Sequence, residues 1–426
     1  MGFITNSADE VKGMNNLPGV PPGVSFQGPA IDPAGSATFY VDANGDDTAE
    51  GSAAAPFRTL QRAFDTIPDG FSGDCTIRMG AGTFSDSAIL RALVNSDSAA
   101  IAVVGDTTGG FDISGQSFAF ATNATATATV PAFTSFARGD RWLEPSSFPV
   151  GDLSGFGTPE FSGTTLEAST SPVLTATMGD PAVGNDAVGV RPFNTVIDAA
   201  YIGTRQPRVN LQLIGIDFGD GLLTREGCIF IACKATGTAN RKQIKNCGGF
   251  LTVLSPSPSF AIEVSTDDAN SWNSLSGAYE GSSIIYQCVR VFQFTTAVVE
   301  VASPSNAIIG RAGSEFSVSF LDVASSGPAI FLQSNAKCSS GGFLDFQGDS
   351  VALVQESSVL DFPASSSNHT GNVTDGIEAQ SSSRIDGKAK LSAVVTSGTE
   401  VTAGTATGTY AGAAVVDNGA ALSACT

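Results

Sequence analysis

Histidine is almost missing from this chain of 426 residues; the single His369 cannot build a multi-histidine metal site. Basic residues are scarce too. The 21 Lys and Arg are outnumbered by 41 Asp and Glu, giving a formal charge of -20, so nucleic acid and anionic membrane surfaces would be repelled. No apolar run is long enough to span a bilayer, and residues 1–30 lack the apolar stretch of a signal peptide. The expectation is a protein without membrane insertion, made in a host cytoplasm and not exported by the general secretory route. The seven cysteines (Cys75, Cys228, Cys233, Cys247, Cys288, Cys338, Cys425) are odd in number and never spaced as CxxC, which fits buried thiols in a reducing compartment better than a disulfide or zinc framework. Neither a metal nor a cofactor is implied.

Helical periodicity is the other near-absence, and it is broken once. In FYVDANGDDTAEGSAAAPFRTLQRAFDTIP (39–68), a short strand and an acidic loop lead to Phe57, Leu60, Phe64 and Ile67 at helical spacing, between Pro56 and Pro68. The pattern predicts one amphipathic helix over 56–67. Elsewhere 48 Gly, 20 Pro and 15% charged residues point to an all-β chain with many turns. Residues 1–37, with Pro18, Pro21, Pro22, Pro29 and Pro33, read as an extended arm without a core. Residues 38–112 hold the helix and the first strands, among them CTIRMGAGTF and AAIAVVGD. From 113 to 200 the composition shifts to Thr, Ala, Pro and aromatics, the mark of a loop-rich insertion or irregular coils.

In residues 201–426 the β pattern returns with a period. Gln287, Arg311, Gln333, Gln355 and Gln380 stand 24, 22, 22 and 25 residues apart, and Ile284, Ile308, Ile330, Ala352 and Ile377 precede them by three. Such a period with strand-like alternation marks a solenoid. The leucine and asparagine framework of a leucine-rich repeat is missing, and a propeller needs a period nearer forty. The expected fold is therefore a right-handed, single-stranded parallel β-helix of roughly eleven coils, a rod on the order of 50 Å long at about 4.8 Å per coil. Its open end would expose apolar interior and unpaired strand edges, so the helix is expected to cap it.

The segments YVDANGDD, GSAAAPFRTLQRAFD, TIRMGAGTF and IAVVGD, in that order, resemble the N-terminal signature of the pectate-lyase-like right-handed parallel β-helix superfamily, with Phe84 where Tyr is usual. β-Helical spikes similar to this chain are typically parallel homotrimers on tailed bacteriophages or related particles. The resemblance implies a virion spike or tailspike-like protein, with residues 1–37 attaching it to other particle proteins and a host surface polysaccharide as ligand. Its glycan-cleaving members carry paired carboxylates, or a calcium-bound acidic cluster with a basic residue, on one outer face.

Period-two geometry puts Ile284, Ile308, Ile330 and Ala352 on the interior. Ile285, Ile309, Phe331 and Leu353 then form an apolar stripe on the other side, to be covered by self-association or by loops of the same coil. For catalysis the candidates are Asp217, Asp220 and Glu226 in GIDFGDGLLTREG, beside Arg225; carboxylates in Gly turns also serve simply as solvated turn formers. Trp142 and Trp272, the latter beside Asp267 and Asp268, are candidate faces for sugar rings, whereas Phe133 and Phe136 read as the minor core of the insertion. Asp42, Asn44, Asp46 and Asp47 suit an Asx-rich turn better than a calcium loop, and Arg138, Gly139 and Asp140 spell an RGD triplet of the kind that arises by chance. Three readings follow: a glycan-recognising virion spike, a polysaccharide depolymerase on the same scaffold, and a purely structural decoration protein. The scattered acids incline the balance toward binding.

Overall fold

The computed structural model describes residues 31–94 except 33, 100–113, 119–120, 125–145 except 138, 166–177 except 167, 187–219 except 205, 207 and 208, and 224–236. From 241 onward it describes the strands, Cys247 and the turns 333–336 and 355–358. One 26-stranded sheet, parallel throughout apart from two antiparallel pairings near its C-terminal end, winds along the chain. This is a parallel β-helix.

Three stacks of strands form its faces. On the first, Ala37–Val41, Asp74–Met79, Ala100–Val104, Asn210–Ile214 and Cys228–Ala235 follow one another in register. Gly82–Phe84, Thr195–Ile197, Ile216–Phe218 and the end of Cys228–Ala235 open the second. The third runs from Ala88–Leu90 through Tyr201–Thr204, Thr224–Glu226, Arg241–Lys245, Ala261–Ser265 and Ser283–Gln287 to Ile308–Arg311. It continues in the long strands Glu315–Leu332 and Lys337–Val354.

The repeat seen in the sequence is this register. Ile284 pairs with Ile308, Ile308 with Ile330, Ile330 with Ala352 and Ala352 with Ile377. Ile330, Leu332, Ala352 and Val354 are fully buried, as alternation requires. The marker glutamines Gln333 and Gln355 open equivalent turns in which Ser334, Asn335, Glu356 and Ser357 all have positive φ. Asn335 N–H donates to the Glu356 carbonyl at 2.9 Å and Val359 N–H to that of Ala336 at 2.8 Å, so each turn is hydrogen-bonded to the next.

The helix is shorter than its pattern, spanning Leu60–Asp65. Phe57 is taken by the sheet instead: its N–H donates to the Tyr40 carbonyl, and its own carbonyl accepts from Asp42. Asp47 then accepts from the N–H groups of Arg58 and Thr59, and Thr59 caps the helix by accepting from Arg62 N–H. Phe57, Leu60, Phe64 and Ile67 are all buried in the rod's core.

Between Ala100–Val104 and Thr195–Ile197 the coil is interrupted, and it resumes before residue 200. Ala119–Phe120, Thr125–Thr129 and Val173–Thr177 form one antiparallel sheet; Phe111–Asp112, Arg141–Pro145 and Ala187–Pro192 form another. Ile113, Val130, Leu143, Leu166, Leu174 and Val190 supply a separate small core, with Phe111, Phe133 and Phe136 packed against it.

Candidate functional site

Asp217 lies on the second face in the strand Ile216–Phe218, and its neighbour in the next coil is Lys234. Its carboxylate accepts from the Thr236 hydroxyl at 2.8 Å and lies 3.4 Å from Lys234 Nζ, with both charged side chains only 12% exposed. Lys234 also donates to the carbonyl of Gly139 at 2.8 Å and lies 4.8 Å from the centre of the Phe193 ring. The pair braces the insertion against the rod. A carboxylate held in this way is poorly placed to handle a substrate proton.

Glu226 ends the strand Thr224–Glu226 on the third face, in register with Gly203 and Lys245, and Asp220 lies outside the described residues. Asp217 and Glu226 therefore stand on strands of different faces, the second and the third.

Trp142 does not offer the face expected of it. It is fully buried, packs among Ile214, Ile229, Ile231 and Ala232, and donates from Nε1 to the Pro192 carbonyl at 3.2 Å. No face is left for a sugar ring. Trp272, Asp267 and Asp268 lie outside the described residues.

In the acidic loop, Asp42 accepts from Asn44 N–H and Asp46 from both the N–H and the hydroxyl of Thr48, as in an Asx turn. Those bonds from Thr48 hold the exposed Asp46 carboxyl below its usual range. Inside the insertion, Arg191 is clamped by Asp112 and Glu144. Burial disfavours its charge, but the two carboxylates outweigh this and raise its pKa.

The apolar stripe is continuous in register: Ile285 pairs with Ile309, Ile309 with Phe331 and Phe331 with Leu353. Phe331 and Leu353 are half-buried. The row is acidic at both ends, because Glu263 pairs with Ile285 and Leu353 with Glu378.

A second periodic register escaped the sequence reading. On the second face Phe218 and Ala235 lie in the core, and Val253, Tyr279, Val299, Leu321, Leu344 and His369 follow them in register. The next positions pair Glu280 with Glu300, Glu300 with Asp322 and Asp322 with Asp345. Beside this acidic row Ala278 pairs with Val298, and Phe320 with Phe343. The signal was legible as AYEG, VVEV, FLDV and FLDF at 278–281, 298–301, 320–323 and 343–346. Residues 275–281, 295–302, 317–324 and 340–347 contain no Lys or Arg to neutralise the row.

No protein-family model matches the chain, and no curated protein matches it. Among solved structures, XylC in complex with xylose is similar at 10% identity and a TM-score of 0.33, over 82% of this chain and 71% of that one. The gp54 tailspike of Acinetobacter baumannii bacteriophage AP22, solved with a capsular saccharide, is similar at 11% identity and a TM-score of 0.22, over 80% and 72%. The gp61 tailspike of Pseudomonas phage phi297 is similar at 12% identity and a TM-score of 0.24, over 82% and 73%. These are loose likenesses of overall form, from which no residue's role is transferred.

Proposed function

We propose that the chain is a spike or fibre-type structural protein of a phage or phage-like particle, standing on the particle surface and recognising a host surface polysaccharide. The observation that carries this reading is the rod with chemically uniform rows along it. A parallel β-helix repeats one side-chain type at about 4.8 Å intervals, which suits a long repeating ligand better than a compact one. The apolar row Ile285, Ile309, Phe331 and Leu353 supports a parallel homotrimer built on the third face, since identical rows meet identical rows around a threefold axis. Residues 1–37 serve as the arm that joins the particle, because a Pro-rich segment without a core gains order from a partner.

Depolymerase activity is the second reading, and the acidic row favours it. Acidic register partners follow one another on rungs about 4.8 Å apart, a spacing of the same order as the roughly 5 Å separation of a retaining glycosidase pair. One experiment separates the two: the intact protein is incubated with host capsule or lipopolysaccharide while binding and polymer length are followed. Binding without shortening supports the spike. Shortening that is abolished by Asp322→Asn with Asp345→Asn moves the protein into the enzyme class. Neither binding nor shortening leaves the purely structural decoration protein.

A further inference from the structure

We infer that Cys228 and Cys247 form a redox-sensitive staple between two successive coils, open as two thiols in a reducing medium and closed as a disulfide in an oxidising one. The register places them together. Ile229 pairs with Gly248 and Phe230 with Gly249, so the residues immediately before, Cys228 and Cys247, follow one another on neighbouring coils. Both lie in the rod's core, 0% and 5% exposed, and both are thiols. Positions stacked one coil apart have Cα atoms separated by about 4.8 Å, inside the range of about 4.4–6.8 Å that a disulfide spans. Among the described residues no other cysteine has a cysteine as register partner. Cys75 has Ala37 and Ile101, Cys233 has Leu251, and Cys338 has Phe316 and Leu360.

The coil between the two cysteines is the one that anchors the insertion: it carries Ile229 and Ile231, against which Trp142 packs, and Lys234, which donates to Gly139. Closing the staple needs an oxidant, a small disulfide such as oxidised glutathione. One protein thiolate attacks that disulfide, expels one glutathione thiolate and becomes a mixed disulfide; the second protein thiolate then attacks the protein sulfur and expels the other glutathione. Both protein thiols lose their protons, the two electrons pass to the glutathione sulfurs, and the bond between the coils forms. Because both side chains are buried, each step waits on a local opening of the coil, so the staple closes slowly. Cysteines without such a neighbour stay thiols: burial pushes Cys75 up to about 12, far from the reactive thiolate.

The test incubates the folded full chain with oxidised glutathione, once in buffer and once in denaturant just below the unfolding transition, where the coil opens more often. Remaining thiols are then alkylated under full denaturation and the peptides mapped by mass. The expected result is a peptide pair joined through Cys228 and Cys247, with Cys75, Cys233 and Cys338 alkylated. The oxidised protein should also unfold at a higher denaturant midpoint than the reduced one, a difference that Cys228→Ala and Cys247→Ala each abolish. The mapping is made on the parent chain, so it decides the matter even where a variant fails to fold. The inference is overturned if Cys228 and Cys247 are both alkylated in both arms, if either is joined to a different cysteine, or if oxidation lowers the midpoint.

Discussion

The rod and the insertion that interrupts it solve the same problem in opposite ways. In the rod the described strands pair in parallel from coil to coil, apart from two antiparallel pairings near the C-terminal end, and side chains from all three faces meet in one core running from Phe39 to Leu360 among the described residues. Each coil needs its neighbours, because parallel strands are buried by what stacks above and below them. The insertion pairs its strands antiparallel and within itself; a strand as plain as TATAT (Thr125–Thr129) finds its partner in Val173–Thr177. Its own core is small. A repeat thus holds itself by propagation, whereas the insertion depends on the seam where Trp142 and Lys234 fasten it to the rod.

The sharpest way to break that dependence is Trp142→Ala. The ring fills the seam against Ile214, Ile229 and Ile231, so its loss should cost about 3–5 kcal/mol and split one unfolding transition into two in calorimetry. A single unshifted transition would mean that the two regions do not rely on each other. Lys234→Met comes next. It leaves the buried Asp217 carboxylate without its cation and should cost about 3 kcal/mol in denaturant unfolding, with most of that recovered by adding Asp217→Asn.

Gly215→Ala probes the same seam from the rod side. Gly215 has φ +63°, and a Cβ there would lie 2.6 Å from Trp142 Cζ2, so the substitution should cost about 2 kcal/mol. Placing it in the Trp142→Ala background should remove the clash and leave the backbone strain, a coupling that a double-mutant cycle measures. The smallest effect belongs to the rod's N-terminal end. Asp47→Ala removes the acceptor for the N–H groups of Arg58 and Thr59 and should lower stability by about 1 kcal/mol without touching the insertion.

What was legible in the sequence follows the same division. The spacing of Gln287, Arg311, Gln333 and Gln355 could be read because stacking demands the same chemistry at the same place in each coil; the register pairs Gln287 with Arg311 and, three positions earlier, runs from Ile284 to Ile377. Phe57 was read as helical because its spacing is helical, yet its backbone bonds hold it in the first coil; periodicity cannot see a hydrogen bond to Tyr40. The acidic row is itself periodic and went unread because the alignment followed the third face, while that row belongs to the second.

Trp142 lies at the other extreme. Nothing near it in the chain announces burial, because the residues that cover it lie 72–90 positions further on. Asp217 likewise stands in a glycine-rich stretch that looks like an exposed turn, and only the winding of the next coil places Lys234 against it. Period, strand alternation and the all-β class were set by the sequence alone, since each coil repeats a local pattern against its nearest neighbour. The burial of Trp142, the pairing of Asp217 and the rows that share a face were decided by the tertiary structure, because those contacts join residues that only the closing of a coil or the docking of the insertion brings together.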